Sequence, residues 1–207
     1  MSRVTLVDYG LGNIRAFVHI YERLNLPATV ATTPEQLKEA ERIILPGVGA
    51  FDWAMTRLNG SGLRDALDEV VQRRLVPVLG VCVGMQMMAH RSEEGKLPGL
   101  GWIDADVMRL NPGQTGHAPL PHMGWNDVQP AAFDSLFRGI EAPRYYFLHS
   151  YCVAPRQRGD VLATARYGAD FSDFTAAVRS GHVFGTQFHP EKSHQWGIDL
   201  LRNFAEF

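Results

Sequence analysis

The residues best suited to chemistry in this chain are a cysteine and the two glycines around it. Gly80, Cys82 and Gly84 follow the apolar residues 76–79 and precede a segment that is compatible with a helix. Gly-x-Cys-x-Gly at a turn from strand to helix has the form of a nucleophile elbow, with sulfur replacing the serine oxygen. Glycine permits the tight turn, and the partial positive charge of a helix N-terminus favours thiolate over thiol. The alternative is a small buried residue that ends a core strand.

A second pair of residues near the C-terminus can serve such a nucleophile, which needs a base and a group to orient that base. His189 and Glu191 stand two positions apart at the end of an apolar segment, with Pro190 between them. Because proline cannot continue a hydrogen-bonded ladder, the chain is expected to leave the sheet there. A lone histidine is usually structural, but this pairing predicts a Cys82–His189–Glu191 triad.

These two segments together resemble the class I, or triad-type, glutamine amidotransferases. Three more segments are similar to those of the glutaminase subunits of imidazole glycerol phosphate synthases, and they read DYGLGN at 8–13, PHMGWN at 121–126 and YYFLHSY at 145–151. Residues 45–49 (LPGVG) match the oxyanion loop of that family. The resemblance covers residues 4–206.

The resemblance implies the hydrolysis of glutamine to glutamate and ammonia. Cys82 would attack the side-chain amide, His189 would protonate the leaving amine, and Glu191 would orient the imidazole. The same resemblance implies a set of residues that hold glutamine or the oxyanion. They are Gly47, Val48, Gly49, Val83, Gln86, Ser150 and Tyr151.

The acceptor of the ammonia is expected on another polypeptide, because the chain has no P-loop, no phosphate-binding glycine run and no basic patch. The resemblance implies that this partner is a (β/α)8-barrel cyclase, with which the chain forms a heterodimer. Six positions match residues that line or gate the interface in the family: Asn13, Met123, Trp125, Asn126, Tyr146 and Lys192.

Other functions stay open at the level of sequence. A related amidotransferase subunit that supplies ammonia to a surface-polysaccharide sugar has the same glutaminase chemistry. Val83, where leucine is commoner in the family, and residues 14–16 depart from the usual pattern. The complete triad argues against a non-catalytic subunit, and the matched segments argue against a stand-alone cysteine hydrolase. The turn Gly10-x-Gly12 lacks the third glycine of a dinucleotide site, and no cofactor is expected.

Composition limits the possible number of domains, the possible ligands and the possible compartment. The chain has 207 residues, 45% hydrophobic and 20% charged, with a formal net charge of −2, which fits one α/β domain over residues 1–207 and gives no sign of nucleic-acid binding. No apolar run reaches the ~18 residues of a membrane span, and no signal peptide is evident. Two cysteines make no disulfide framework, and a working thiolate needs a reducing compartment, so we expect the cytoplasm. The histidines show no metal-ligand spacing with the cysteines.

The elements that must position these residues form two contrasting halves. Strands and helices alternate in the first half, which predicts a parallel sheet with helices on both faces. The second half is rich in strands joined by short turns, so the whole sheet is expected to be open, mostly parallel and mixed. The pattern predicts a helix over 62–74, a single strand over 145–151 and a surface loop over 111–121. Cys152 and His149 are interpreted as structural, and Glu93 and Glu94 as a solvated cluster.

Overall fold

A computed structural model describes residues 2–110, 119–133, 135–168 and 172–207. The strands are β1 (Val4–Val7), β2 (Ala28–Ala31), β3 (Arg42–Gly47), β4 (Val78–Cys82), β5 (Ala105–Arg109), β6 (His122–Pro130), β7 (Arg144–His149), β8 (Tyr151–Pro155), β9 (Val161–Tyr167), β10 (Ser172–Ser180) and β11 (Val183–Thr186). The helices are α1 (Ile14–Arg23), α2 (Pro34–Lys38), α3 (Phe51–Gly60), α4 (Arg64–Asp68), α5 (Val83–Met87) and α6 (His194–Glu206).

One nine-stranded sheet organises the chain, in the order β2-β1-β3-β4-β11-β10-β9-β6-β7. The strands from β2 to β11 run parallel, whereas β10, β9, β6 and β7 pair antiparallel. The predicted α/β class is confirmed, with parallel strands from the first half and antiparallel strands from the second. β11 is the exception in sequence order, because it returns from the second half to lie beside β4.

The strands at the centre of the sheet are almost completely buried. Every residue of β1, β4 and β11 is buried, as are all residues of β3 after its first. Strands that are apolar at successive positions must be covered on both faces, as expected for parallel strands crossed by helices. The carboxyl ends of β3 and β4 lie side by side in this region, with Gly47 opposite Cys82.

Two predicted elements differ from the structure. The predicted helix over 62–74 begins at Arg64 and changes to a π-helical turn over Glu69–Arg73. The predicted strand over 145–151 is two strands, because β7 pairs with β6 and β8 pairs with β5 in a separate two-stranded sheet. Ser150 lies at this change of sheet, and its carbonyl accepts the Leu110 N–H at 2.8 Å.

Most of the predicted surface loop over 111–121 lies outside the described residues, and 119–121 form no helix or strand. Within the described ranges, the helices are too short or too polar to cross a lipid bilayer.

Candidate active site

The cysteine lies at the junction of a central strand and a helix. β4 ends at Cys82, α5 begins at Val83, and the Cys82 backbone has φ 56° and ψ −115°, a region that non-glycine residues seldom adopt. The flanking glycines are required by close approaches of the backbone. A Cβ on Gly80 would lie 2.7 Å from the Met85 backbone, and one on Gly84 would collide with the Leu45 carbonyl oxygen. The structure therefore has the geometry of a nucleophile elbow.

His189 and Glu191 meet in a short 3-10 turn rather than along a strand. β11 ends at Thr186, and the turn over Pro190–Lys192 brings Glu191 Oε1 to 2.9 Å from His189 Nδ1. The two side chains are 4% and 3% exposed. The backbone holds the histidine from both sides, because its N–H donates to the Tyr146 carbonyl and its carbonyl accepts the Ser193 hydroxyl.

The electrostatics of this pair favour the imidazolium. Burial lowers the pKa of His189, but hydrogen bonds and charge interactions with Cys82 and Glu191 outweigh burial and raise that pKa above its ordinary value. The second carboxylate oxygen, Glu191 Oε2, is buried without a hydrogen-bond partner among the described residues. The positive charge on His189 is thus the compensation that this buried carboxylate receives, and Cys82 is the second group whose interaction with the ring raises the pKa of His189.

A cavity of about 330 Å³ opens over the cysteine. Its walls bring together segments that are far apart in the chain: Val48, Gly49, Cys82, Val83, Gln86, Glu94, Pro121, Leu148, His149, Ser150, Tyr151, His189 and Lys192. All the residues predicted to hold glutamine line it except Gly47. Gly47 is buried, and a Cβ there would collide with the Gly84 backbone, so it packs the oxyanion loop against the elbow instead.

Glu94 is exposed, as the interpretation of a solvated residue expects, but it also has a structural contact. Its Oε2 accepts the Phe51 N–H at 2.9 Å, which holds a carboxylate at the start of α3 and in the cavity wall. No local pattern reveals this role, since Phe51 is 43 positions away in the sequence. His149 also lines the cavity although its sequence context indicates only a structural role.

The predicted interface residues divide into two groups. Met123 and Trp125, on β6, are 66% and 38% exposed, and they pair with Leu148 and Tyr146 of β7. Lys192 Nζ lies 5.8 Å from the Tyr146 ring, so these side chains form one surface beside the cavity.

The two asparagines are engaged within the chain. Asn13 is exposed and caps α1, with its side chain accepting the Ala16 N–H at 3.4 Å. The amide of Asn126 donates to the Arg166 carbonyl at 2.7 Å and lies 3.3 Å from His122 Nε2.

The second cysteine is far less suited to nucleophilic chemistry. Cys152 lies in β8, and burial raises the pKa of its thiol to about 11. Among the described ranges there is also no group of three or more histidine, cysteine, aspartate or glutamate residues that could hold a metal ion.

Comparisons with known proteins identify the class that this fold and cavity define. The sequence profile of class-I glutamine amidotransferases matches residues 5–206, and the chain belongs to that family. Within the family, it is 53% identical to the imidazole glycerol phosphate synthase subunit HisH of Bdellovibrio bacteriovorus, over 98% of this chain and 99% of that protein. It is 45% identical to the HisH subunit of Leptospira borgpetersenii and 46% identical to HisH 2 of Pseudomonas aeruginosa, over 98% of each sequence. The resemblance stated from the sequence is confirmed.

Solved structures agree on the fold. A crystal structure of a glutamine amidotransferase superposes with a TM-score of 0.73 at 23% identity, covering 98% of this chain and 97% of the other. A chain of PurLQS from Thermotoga maritima superposes with a TM-score of 0.71 at 18% identity, covering 100% and 99%. The class I glutamine amidotransferase fold expected from the sequence is therefore confirmed.

Proposed function

We propose that this chain is the glutaminase subunit of an imidazole glycerol phosphate synthase, hydrolysing L-glutamine and passing the ammonia to a cyclase. The observation that carries the proposal is the strained Cys82 elbow beside the buried His189–Glu191 pair, in a cavity lined by the expected glutamine-binding residues. The names of the relatives favour this acceptor over a surface-polysaccharide sugar.

The chemistry follows from the placement of the three side chains. Cys82 Sγ attacks the side-chain amide carbon, and the backbone N–H of Val83, with one from the oxyanion loop, holds the resulting oxyanion. His189 then donates its proton to the departing ammonia, which leaves a γ-glutamyl thioester on the sulfur. The neutral imidazole next accepts a proton from water, the water attacks the thioester, and glutamate and the Cys82 thiolate are released.

The cavity wall also offers groups for the charged end of glutamine. The α-ammonium group needs an anion, and the carboxylate of Glu94 is held in place by the Phe51 N–H. Both hydrogen bonds of Gln86 Nε2 are donated within the chain, to the Tyr151 carbonyl and to Gln187, so its Oε1 is the atom available to a ligand. Ser150 and Tyr151 supply further polar groups from the start of β8.

A partner is required because free ammonia becomes protonated in water at neutral pH and then cannot act as a nucleophile. The partner we propose is a (β/α)8-barrel cyclase that combines the ammonia with a ribulosyl phosphate derivative. The exposed Met123 and Trp125, beside Tyr146 and Lys192, form an apolar surface that adjoins the cavity and suits that contact. A reducing cytoplasm is the compartment in which the thiolate would persist.

The experiment compares glutamine with ammonium salts as the nitrogen source for the chain in complex with the cyclase. Cys82→Ala should abolish glutamine-dependent synthesis and leave ammonium-dependent synthesis near the wild-type rate, because the acceptor chemistry belongs to the other subunit. Cys152→Ala is the matched control and should retain both activities. Glutamine-dependent synthesis that survives Cys82→Ala would exclude Cys82 as the nucleophile, and loss of the ammonium reaction would contradict the division of labour.

A further inference from the structure

A buried amide faces the sulfur of the cysteine. Gln187 stands two residues before His189, is 0% exposed, and places Nε2 3.7 Å from Cys82 Sγ. The two residues are 105 positions apart and meet because β11 lies beside β4 in the sheet. Neither the sequence motifs nor the mechanism above gives this side chain a role.

The orientation of this amide is fixed by a backbone carbonyl. The side-chain nitrogen of Gln86 lies 3.0 Å from the Tyr151 carbonyl oxygen, which can only accept, so the Gln86 atom there must be the donor Nε2. The same Nε2 lies 3.0 Å from the Gln187 side chain, which must therefore present its oxygen to Gln86. The remaining end of the Gln187 amide, the NH2 group, consequently points at the sulfur.

The Tyr151 carbonyl is itself held from a second direction. His149 Nδ1 donates to it at 2.9 Å, so its Nε2 accepts from His122 Nδ1 at 3.1 Å. His122 Nε2 in turn accepts from the Asn126 amide, which is oriented by the Arg166 carbonyl. These hydrogen bonds thus form a series that begins at the Arg166 carbonyl and ends at the Tyr151 carbonyl. Because a carbonyl can only accept, the donor and the acceptor of every bond in the series are fixed.

We infer that Gln187 is a catalytic residue that donates a hydrogen bond to the Cys82 sulfur and stabilises the thiolate, with Gln86 as the positioning residue that aims it. This inference rests on the proposed function, in which Cys82 attacks as a thiolate. A hydrogen bond to an ionised acceptor is stronger than one to the neutral form, so the donated N–H favours loss of the thiol proton. The Leu148 carbonyl, 4.0 Å from the sulfur, can only accept a hydrogen bond from the neutral thiol and does not favour the thiolate.

Titratable groups that interact with the sulfur are His189, with Glu191 behind it, and the buried hydroxyl of Tyr9, and Glu94, His149 and Lys192 line the same cavity. His189 changes its protonation during the reaction, and the Tyr9 hydroxyl donates to the Pro46 carbonyl at 2.8 Å. Gln187 is uncharged at every pH, so its hydrogen bond to the sulfur does not depend on the protonation state of His189. The donor is therefore in place both when the thiolate attacks the amide and when it leaves the thioester.

The test measures the pH dependence of Cys82 alkylation by iodoacetamide, read at the Cys82 peptide by mass spectrometry on the full chain. Gln187→Met removes the donor at nearly constant length, and Gln187→Glu keeps the acceptor for Gln86 but turns an oxygen toward the sulfur. We expect the pH of half-maximal alkylation to rise by about one unit in Gln187→Met and by more in Gln187→Glu. Thr186→Val is the matched control, because it removes a buried hydrogen bond to the Phe188 carbonyl in the same segment, and its profile should be unchanged.

Failure of the inference and failure of the proposed function are separable. If alkylation of wild-type Cys82 leaves the glutaminase activity of the complex intact, the proposed function is wrong. If alkylation abolishes that activity while both Gln187 variants keep the wild-type pH profile, the role of Gln187 is wrong. If neither Gln187 variant folds, as judged by circular dichroism, Gln86→Met provides the test. The Gln86→Met substitution should release the Gln187 amide and raise the pH of half-maximal Cys82 alkylation. An unchanged pH of half-maximal alkylation would overturn the inference.

Discussion

At the scale of single residues, the candidate active site depends on two buried side chains, Glu191 and His189, whose opposite charges compensate each other. The Glu191 side chain is 3% exposed and one of its oxygens lacks a partner among the described residues, so the contact between its other oxygen and His189 Nδ1 is what satisfies this buried group. His189 in turn has a raised pKa because Cys82 and Glu191 outweigh the effect of burial. Breaking one member of such a buried pair costs more than an exposed ion pair would, since the other charge stays buried.

The first prediction concerns that carboxylate. Glu191→Gln preserves the shape of the side chain but removes the negative charge, so the rate at saturating glutamine should fall by ~10²–10⁴-fold, as in other triads. The pKa of His189 should also fall, because one of the causes that raise it is removed. The imidazolium would then lose its proton at lower pH, and the alkaline limb of the rate profile should shift downward.

The control is Glu206→Gln, which makes the same change in an exposed carboxylate paired with Arg138 at 3.0 Å. Its rate and pH profile should match those of the wild type. Equal rates for Glu191→Gln and the wild type would remove Glu191 from the triad. His189→Ala should lose more activity than Glu191→Gln, because it removes the proton donor itself, and the reverse order would contradict these roles.

Residues were predictable from the sequence where their signal is local. Cys82 with its flanking glycines, and His189 with Glu191, each fit within a few positions, because a tight turn constrains neighbouring residue types. Glu94 and Gln187 carry no such signal. Glu94 reaches the cavity through the Phe51 N–H, 43 positions away, and Gln187 meets its cysteine across 105 positions. Their roles arise only when the parallel strands are assembled.

At the scale of elements, the sequence likewise predicts that a segment is a strand but does not predict which strand it pairs with. The predicted strand over 145–151 is extended chain in the structure, but the sequence contains no information about which sheet each half joins. β7 continues the main sheet beside β6, whereas β8 leaves it to pair with β5. The change of sheet places Ser150 and Tyr151 in the cavity wall, so the site depends on a break that periodicity cannot show.

A second prediction tests the loop between β3 and α3. Gly49 has φ +85°, and a Cβ there would meet only the Trp53 side chain, at 3.8 Å. Space is available in Gly49→Val, but the backbone conformation disfavours a β-branched residue by roughly 1–2 kcal/mol, so the loop should rotate. We expect kcat/KM for glutamine to fall by ~10²-fold or more, the effect of losing one oxyanion donor.

Gly62→Val is the matched control for Gly49→Val. Gly62 has φ +79°, and a Cβ there would have no neighbouring atom within 4 Å, but this glycine lies between α3 and α4 and does not line the cavity. Both variants should lose similar free energy of unfolding in urea, and only Gly49→Val should lose activity. An equal loss of activity in both would attribute the effect to general destabilisation.

At the scale of the whole molecule, the wall of the candidate active site is also part of the core. His122 and His149 face each other on β6 and β7, and His122 stacks on the Phe147 ring at 4.9 Å. Burial lowers the pKa of His122 from 6.5 to about 4. Burial, with smaller effects from His122 and His189, lowers the pKa of His149 to about 3 despite the hydrogen bond to the Tyr151 carbonyl. Both rings are therefore neutral in the folded protein near neutral pH.

This pair makes the stability of the fold sensitive to acid. Histidines in the unfolded chain bind protons below about pH 6.5, whereas these two in the folded chain do so only near pH 4 and below. The unfolded state thus binds more protons across that interval, and the free energy of unfolding must fall as the pH falls. His189 acts in the opposite range, because its raised pKa adds stability that is fully present below pH 6.5 and is lost as the pH rises toward about 10.

The third prediction compares urea unfolding of the wild type and His122→Asn at about pH 7.5 and about pH 5. The asparagine amide can still donate to His149 but does not titrate, so the variant should lose less stability on acidification, by up to about 2 kcal/mol. Any loss of ring stacking affects both pH values equally and cancels in the comparison. His19→Asn, at an exposed histidine, is the control and should behave like the wild type. If wild type and His122→Asn lose the same free energy between the two pH values, His122 is not a source of the acid sensitivity.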